Sequence, residues 1–203
     1  MPISAEQIRE NYERIRGDVG PNVTVVAATK YANLDTMELL AEAGVQVVGE
    51  NRAQDLAAKH ERFRERFRWH FIGHLQSRKA KDVSRFCELV HSLDSESAAR
   101  RLTIPALVEV NLAGEGTKSG IARDRLSSFL SEAADLGVEV RGLMTMPPLS
   151  DDPERSRPYF RELRRLAEEH GLAELSMGTS QDYRVAAEEG ATLVRVGSVL
   201  FGR

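Results

Sequence analysis

The chain has 203 residues, 41% of them hydrophobic, enough to build a substantial core in one domain. Its 28 Lys and Arg are offset by 31 Asp and Glu, and a net charge of -3 supplies no field for drawing in nucleic acid or an anionic membrane, so the expected partner is a small molecule. A lone cysteine, Cys87, excludes an internal disulfide framework, and no stretch approaches the ~18 apolar residues of a transmembrane helix.

The first segment, MPISAEQIRENYERIRG, has the spacing of an amphipathic helix and lacks the apolar centre of a signal peptide, so a cytoplasmic protein is expected. From there on, short runs rich in Val, Ile and Leu alternate with longer segments of helical period, the pattern of a parallel sheet with crossover helices. Eight runs read as strands, at residues 23–29, 45–49, 69–73, 88–93, 106–111, 138–145, 174–178 and 192–197. After the first, Asn33 or Asp35 can cap a helix with Met37, Leu40 and Ala41 on one face, and Gly44 supplies the left-handed stop. The third is followed by a polar, basic stretch over 76–85, and the fourth by a gap at 94–103 that admits only a short helix. Leu126, Phe129, Leu130 and Ala133 form the next buried stripe, ended by Gly137. Phe160, Leu163 and Ala167 form another, with Pro158 near its start and Gly171 beyond its end. Thr179 followed by Asp182 resembles a capping box for a helix that Gly190 closes. Such alternation also fits an open doubly wound sheet, but a count of eight favours a single α/β domain over residues 1–203, a (β/α)8 barrel of the TIM type with the first helix as an addition.

In such a barrel alternate side chains of each strand point inward, and the reactive face lies at the carboxyl ends of the strands. Thr24, Val26, Ala28 and Lys30 share one face of the first strand, which puts the Lys30 amine over a small, apolar interior where desolvation favours the neutral amine that attacks a carbonyl. A lysine that merely begins a loop and reaches water fits the same spacing. Near the other end, LSMGTSQDYRVAAEEG places two hydroxyl residues between a strand and a helix, so the first N–H groups of that helix, with Ser180, can take an anion. TLVRVGSVLFG adds Arg195, Gly197 and Ser198 at the end of the eighth strand: Gly197 lets a ligand approach the backbone, and Ser198 offers a hydroxyl and an N–H. Each alone is an ordinary cap or turn; together they suggest a phosphate site of the kind this fold carries after its last two strands. Arg195 shares an inward face with Leu193 and needs a fixed polar partner, either a ligand or Glu50 or Glu109. Asn51, at the end of the second strand, suits orienting a ligand and equally suits capping the next helix. His70 and His74 straddle a strand end with no third ligand in reach, which argues against a metal site. Arg78, Lys79 and Lys81 read as a solvated helix face. The glycine-rich NLAGEGTKSG, which carries Lys118 and lacks Walker spacing, reads as a mobile loop at the barrel mouth.

Taken in order, VVAATK, VVGENRAQD, WHFIGHLQSRK, KSGI, RGLMTMPP, LSMGTS and TLVRVGSVLFG resemble the pyridoxal phosphate homeostasis proteins, the YggS-like pyridoxal-phosphate-binding family, over nearly the whole chain from residue 23 to 202. The resemblance implies a fold-type III barrel similar to the N-terminal domain of alanine racemase, with pyridoxal 5'-phosphate (PLP) held as an internal aldimine. On the matching positions it implies Lys30 as the Schiff-base lysine, Ser180, Gly197 and Ser198 at the phosphate, Arg195 facing the pyridine nitrogen, Asn51 beside the ring, and Lys118 in cofactor exchange. Thr179 and Gln181 replace a Met and an acidic residue common in the family, Arg78 stands where Asn is frequent, and the stretch 101–105 is short; none of these touches Lys30 or the phosphate residues.

The role so implied is a PLP buffer or carrier in intracellular vitamin B6 homeostasis, with little or no catalysis. It is expected to be a monomer that passes the cofactor to PLP-dependent apoenzymes and binds neither nucleic acid nor membrane. Arg195 agrees with it, because a guanidinium donates rather than accepts, and beside the pyridine nitrogen it disfavours the protonated ring that serves as an electron sink. The alternative is a PLP-dependent racemase of a small amino acid, which needs Tyr31, Tyr159 or Tyr183 to replace the second base that alanine racemase draws from its C-terminal domain. A third reading makes Lys30 the Schiff-base lysine of an aldolase-type enzyme on a phosphorylated substrate.

Overall fold

The computed structural model describes residues 3–114 and 119–202. Its strands are β1 (Thr24–Ala28), β2 (Val47–Glu50), β3 (Arg68–Phe71), β4 (Leu89–Leu93), β5 (Ala106–Asn111), β6 (Ile121–Ala122), β7 (Val140–Met144), β8 (Glu174–Ser176) and β9 (Leu193–Val196). All but β6 stand side by side in chain order and parallel, and the pairing of β9 with β1 closes them into a barrel. That closure excludes the open doubly wound sheet, whose first and last strands would not meet. Each of the eight expected runs is a barrel strand; β6 pairs with β5 alone, as a two-residue tab.

The helices are α1 (Ala5–Val19), α2 (Leu34–Glu42), α3 (Ala53–Phe63), α4 (Ala80–Phe86), α5 (Glu96–Ala99), α6 (Leu126–Asp135), α7 (Arg157–Glu169), α8 (Tyr183–Glu188) and α9 (Ser198–Phe201). From α2 onward each follows one barrel strand, and α1 is the addition. It starts at a capping box between Ser4 and Gln7, and buries Ile8, Tyr12, Ile15 and Val19 against α2, α8 and α9. Two polar contacts fix it there: Asn11 Nδ2 donates to the Leu200 carbonyl at 3.1 Å, and the Tyr183 hydroxyl donates to Asp18 at 2.7 Å. The helix thereby clamps the last two βα units, which form one wall of the site described below. At α2 it is Asn33, not Asp35, that caps, accepting the Thr36 N–H at 2.8 Å. The α6 stripe buries Leu126, Phe129 and Ala133, with Leu130 only half-buried.

The core has two zones, as alternation on closed strands requires. Outward residues pack under the helices. Inward residues Val26, Val47, Leu89, Leu107, Met144 and Leu193 fill the barrel, with Ile72 packed on them, and each such side chain stabilises the fold by about 1.5–3 kcal/mol when fully buried. Space inside is short: a Cβ on Gly49 would come within 2.8 Å of Ile72 and 2.9 Å of Val26. Among the described residues no helix is long and apolar enough to cross a membrane.

Candidate cofactor pocket

At the carboxyl ends of the strands the barrel opens into a cavity of about 380 Å³. Ala28, Tyr31, Ile72, Met146 and Phe201 give it apolar walls, and Lys30, Asn51, Thr179, Arg195 and Ser198 supply its polar groups. A few convergent polar groups in an apolar cleft is the usual form of a small-molecule site.

Lys30 stands two residues beyond the end of β1. The Thr29 N–H still bonds the Gly49 carbonyl at 2.9 Å; the chain then turns, with the Ala32 N–H on the Thr29 carbonyl at 2.9 Å, and carries Lys30 and Tyr31 to the rim. Lys30 is therefore exposed, above the last inward layer of side chains, and the desolvation expected from the strand alternation is not realised. Its Nζ lies 4.5 Å from the centre of the Tyr31 ring. Hydrogen bonding from Lys30, and then its charge, hold the Tyr31 phenol below its ordinary value. Beneath this exposed rim the anchorage is tight. Glu50, fully buried, accepts from Thr29 Oγ1 at 2.9 Å, from the Asn51 N–H at 3.0 Å and from Lys59 Nζ at 2.5 Å, while Lys59 also donates to the Thr29 carbonyl at 2.7 Å. One buried carboxylate thus ties the backbone just before Lys30 to the backbone just before Asn51.

Arg195 enters from β9, buried, and donates to Ser176 Oγ, to the Thr145 carbonyl at 3.1 Å and to Met146 Sδ at 2.9 Å. Neither carboxylate expected as its partner bonds it. Glu50 faces outward to Lys59, because it alternates with the inward Val47 and Gly49; Glu109 accepts from Ser119 Oγ at 2.8 Å and reaches Arg195 only through space. Burial draws the guanidinium down to about 10, against the pull of Glu109 and Asp182, so it is a cation at neutral pH.

Gly197 and Ser198 form the far wall, at the start of α9. A Cβ on Gly197 would meet Ala28 no closer than 3.7 Å, so packing within the protein does not call for a glycine there, and the space left open belongs to the pocket. Ser180 does not line the cavity. Its Oγ accepts the Gly197 N–H at 2.9 Å and the Val199 N–H at 3.4 Å, which braces the turn into α9. The start of α8, expected to take an anion together with Ser180, carries Asp182, whose carboxylate makes no cap bond to the helix and accepts instead from the Thr179 N–H at 2.7 Å, Thr179 Oγ1 at 3.0 Å and Ser156 Oγ at 2.7 Å. The expected capping box is therefore half formed, and with the Thr179 N–H and hydroxyl both directed at Asp182 and the Gly197 and Val199 N–H groups at Ser180, Ser198 is the residue of this wall that offers donors to an anion. Lys118 lies outside the described residues.

Sequence reasoning missed what supports Arg195. Ser176 Oγ also meets His91 Nδ1 at 2.7 Å, His91 Nε2 meets His70 Nδ1 at 2.9 Å, and His70 Nε2 meets Glu88 Oε1 at 3.1 Å. His70 and His74, considered together above, part company: His74 is exposed, 3.5 Å from Asp94. The available signal was polar residues at inward positions of otherwise apolar strands. The chain ends at a second cavity, of about 390 Å³, at the amino ends of the strands, where Arg68, Glu88, Arg141 and Glu174 gather.

The family described as alanine racemase, N-terminal domain, matches residues 3–203. The chain is 40% identical to a pyridoxal phosphate homeostasis protein of Deinococcus radiodurans over 99% of both chains. It is 38% identical to one of Aquifex aeolicus over 98% of this chain and 97% of that one. Among solved structures, PipY of Synechococcus elongatus PCC7942 with PLP bound superposes with a TM-score of 0.86 at 31% identity, over 96% of this chain and 100% of that one.

Proposed function

The chain belongs to the alanine racemase N-terminal-domain family and, within it, to the pyridoxal phosphate homeostasis proteins, and from that membership we propose that it binds PLP at the carboxyl mouth of the barrel, as a buffer or carrier in intracellular vitamin B6 homeostasis with little or no catalysis. The observation that carries this reading is the meeting, in one cavity, of a primary amine from the turn after β1 with a buried guanidinium and a hydroxyl-bearing turn after the last strand. When bound, PLP supplies an aldehyde that condenses with a primary amine.

The residues present fit it. Lys30 supplies the amine, exposed at the rim where an incoming aldehyde meets it first. Ser198, Gly197 and the turn that Ser180 braces would hold the phosphate, and Asn51 the ring. Arg195 offers donors and no lone pair, so toward a ring nitrogen it would act as a hydrogen-bond donor and yield no proton, which would withhold the electron sink that carbanion chemistry requires. Of the tyrosines a racemase could recruit, Tyr183 is engaged with Asp18 and only Tyr31 lines the pocket, against Lys30 itself. A second base has to approach from the face opposite the first, and a residue stacked on the first base does not. The same reading makes the whole chain one cofactor domain, a cytoplasmic monomer that passes PLP to PLP-dependent apoenzymes and takes no nucleic acid.

The test is an absorption spectrum of purified protein supplied with PLP, before and after borohydride reduction, with peptide mapping of the label. Label on the peptide containing Lys30 is expected, together with no measurable chiral inversion of L-amino acids. Colourless protein that takes up no vitamer in excess overturns the binding, and rapid inversion overturns the carrier role.

A further inference from the structure

The buried polar chain through the barrel has one consistent arrangement of hydrogens. Glu88 can only accept from His70 Nε2, so His70 Nδ1 is a lone pair and His91 Nε2 donates to it; His91 Nδ1 is then a lone pair that takes the Ser176 hydroxyl hydrogen, and Ser176 Oγ accepts from Arg195. Every hydrogen points from the buried cation toward a carboxylate at the opposite mouth, with both imidazoles neutral. The surroundings agree: burial above all, with the Arg195 charge beside it, holds His91 well below the ordinary value, and the His70 bond holds Glu88 below its own.

We propose that His70, His91 and Ser176 are positioning residues, which orient Arg195 in the pocket and make its hold on PLP respond to proton uptake within the buried chain. The proposal rests on the PLP reading of the pocket. A proton taken from water onto His91 Nδ1 makes His91 a donor on both sides. Ser176 Oγ then faces two donors, His91 and Arg195, while its own hydrogen loses its acceptor. The net change is one proton gained, on His91, and a cation placed nearer to Arg195 with no new anion beside it.

The groups that bias this chain are Arg68 on β3 and Glu88 just before β4, Arg141 on β7 and Glu174 on β8 around the lower mouth, and Glu109 on β5 and Asp182 before α8 at the Arg195 end. The sign follows from His91, whose folded value lies below the ordinary 6.5: the neutral chain contributes in full above that pH, and its contribution is lost as the pH falls from there toward the depressed value.

Two measurements test it. Nitrogen-15 NMR of the histidine rings in the wild-type protein, at about pH 7.5, is expected to show both rings neutral with hydrogen on Nε2; a His91 that carries its hydrogen on Nδ1, or is charged, overturns the proposal whether or not PLP binds. The dissociation constant of PLP is then followed from about pH 8.5 to about 5.5 for wild type, Ser176→Ala and Ser176→Thr. Ser176→Ala is expected to bind about tenfold more weakly at the upper end and to lose the inflection that wild type shows beyond the titration of PLP itself, while Ser176→Thr, which keeps the hydroxyl, retains it. Parallel curves for wild type and Ser176→Ala overturn the coupling. Wild-type protein that binds no PLP at any pH defeats the pocket reading, and the coupling with it, while the ring tautomers still decide the geometry of the chain.

Discussion

The two mouths of the barrel hold cavities of nearly equal volume, about 380 and about 390 Å³, yet they meet their charges in opposite ways. At the amino mouth the protein answers itself: Arg68 pairs with Glu88 at 2.7 Å and Arg141 with Glu139 at 2.7 Å. At the carboxyl mouth, among the described residues, Lys30 forms no ion pair and Arg195 has no carboxylate in direct contact. Two cations with no carboxylate in contact around an apolar cavity are an invitation to an anionic ligand, whereas a cavity of the same size bordered by direct ion pairs is an ordinary barrel end. Volume alone would not have distinguished them.

The contrast breaks most sharply at Lys30. Lys30→Ala is expected to abolish borohydride-trapped label entirely while leaving some affinity from the phosphate wall, and Arg68→Ala at the other mouth to leave trapping intact; undiminished labelling of Lys30→Ala would remove the distinction between the mouths. The next effect is on stability. Lys59→Met strands the Glu50 carboxylate in the core, where loss of one partner from a buried ion pair costs about 3–5 kcal/mol. Urea unfolding measures it, and a loss below ~1 kcal/mol would mean that the backbone under Lys30 and Asn51 is held by something else.

Much of this was legible in the sequence because each barrel strand is a compact apolar run with its own turn signals. Gly44, Gly137, Gly171 and Gly190 all take positive φ where the helices were expected to stop. The wall of the pocket was legible for the same local reason, since Arg195, Gly197 and Ser198 lie within four residues. What sequence could not supply was the neighbour across the barrel. Arg195 was matched to Glu50 or Glu109 by charge, yet it bonds a serine on the adjacent β8 and, through it, a histidine on β4, a relation that exists only once the sheet is closed. The exposure of Lys30 was hidden in a different way, because alternation predicts direction only while the strand lasts, and β1 ends at Ala28.

A smaller effect sharpens the wall formed by Gly197 and Ser198. Ser180→Ala combined with Ser198→Ala is expected to weaken PLP retention by ~1–3 kcal/mol, read as the dissociation constant at fixed pH. The two contribute by different routes, Ser198 from the cavity surface and Ser180 by holding the Gly197 N–H. Ser180→Ala alone should therefore also loosen the turn into α9, seen as faster amide exchange at Gly197 and Val199, and Ser198→Ala alone should not. An unaltered dissociation constant in the double variant would move the anion away from this wall.

The smallest effect lies at the amino mouth and is the control that gives the others meaning. Arg141 and Glu139 are both largely exposed, so solvent screens their attraction, and hydrogen bonding to Glu139 raises the guanidinium further without making the pair a strong one. Arg141→Ala is expected to change stability by no more than ~1 kcal/mol, less again at high salt, and to leave PLP affinity at neutral pH as it was. If it instead weakened PLP binding severalfold, the charges of the lower mouth would be acting on the upper one directly through the barrel, and the separation drawn between a self-satisfied end and a ligand-seeking end would fail.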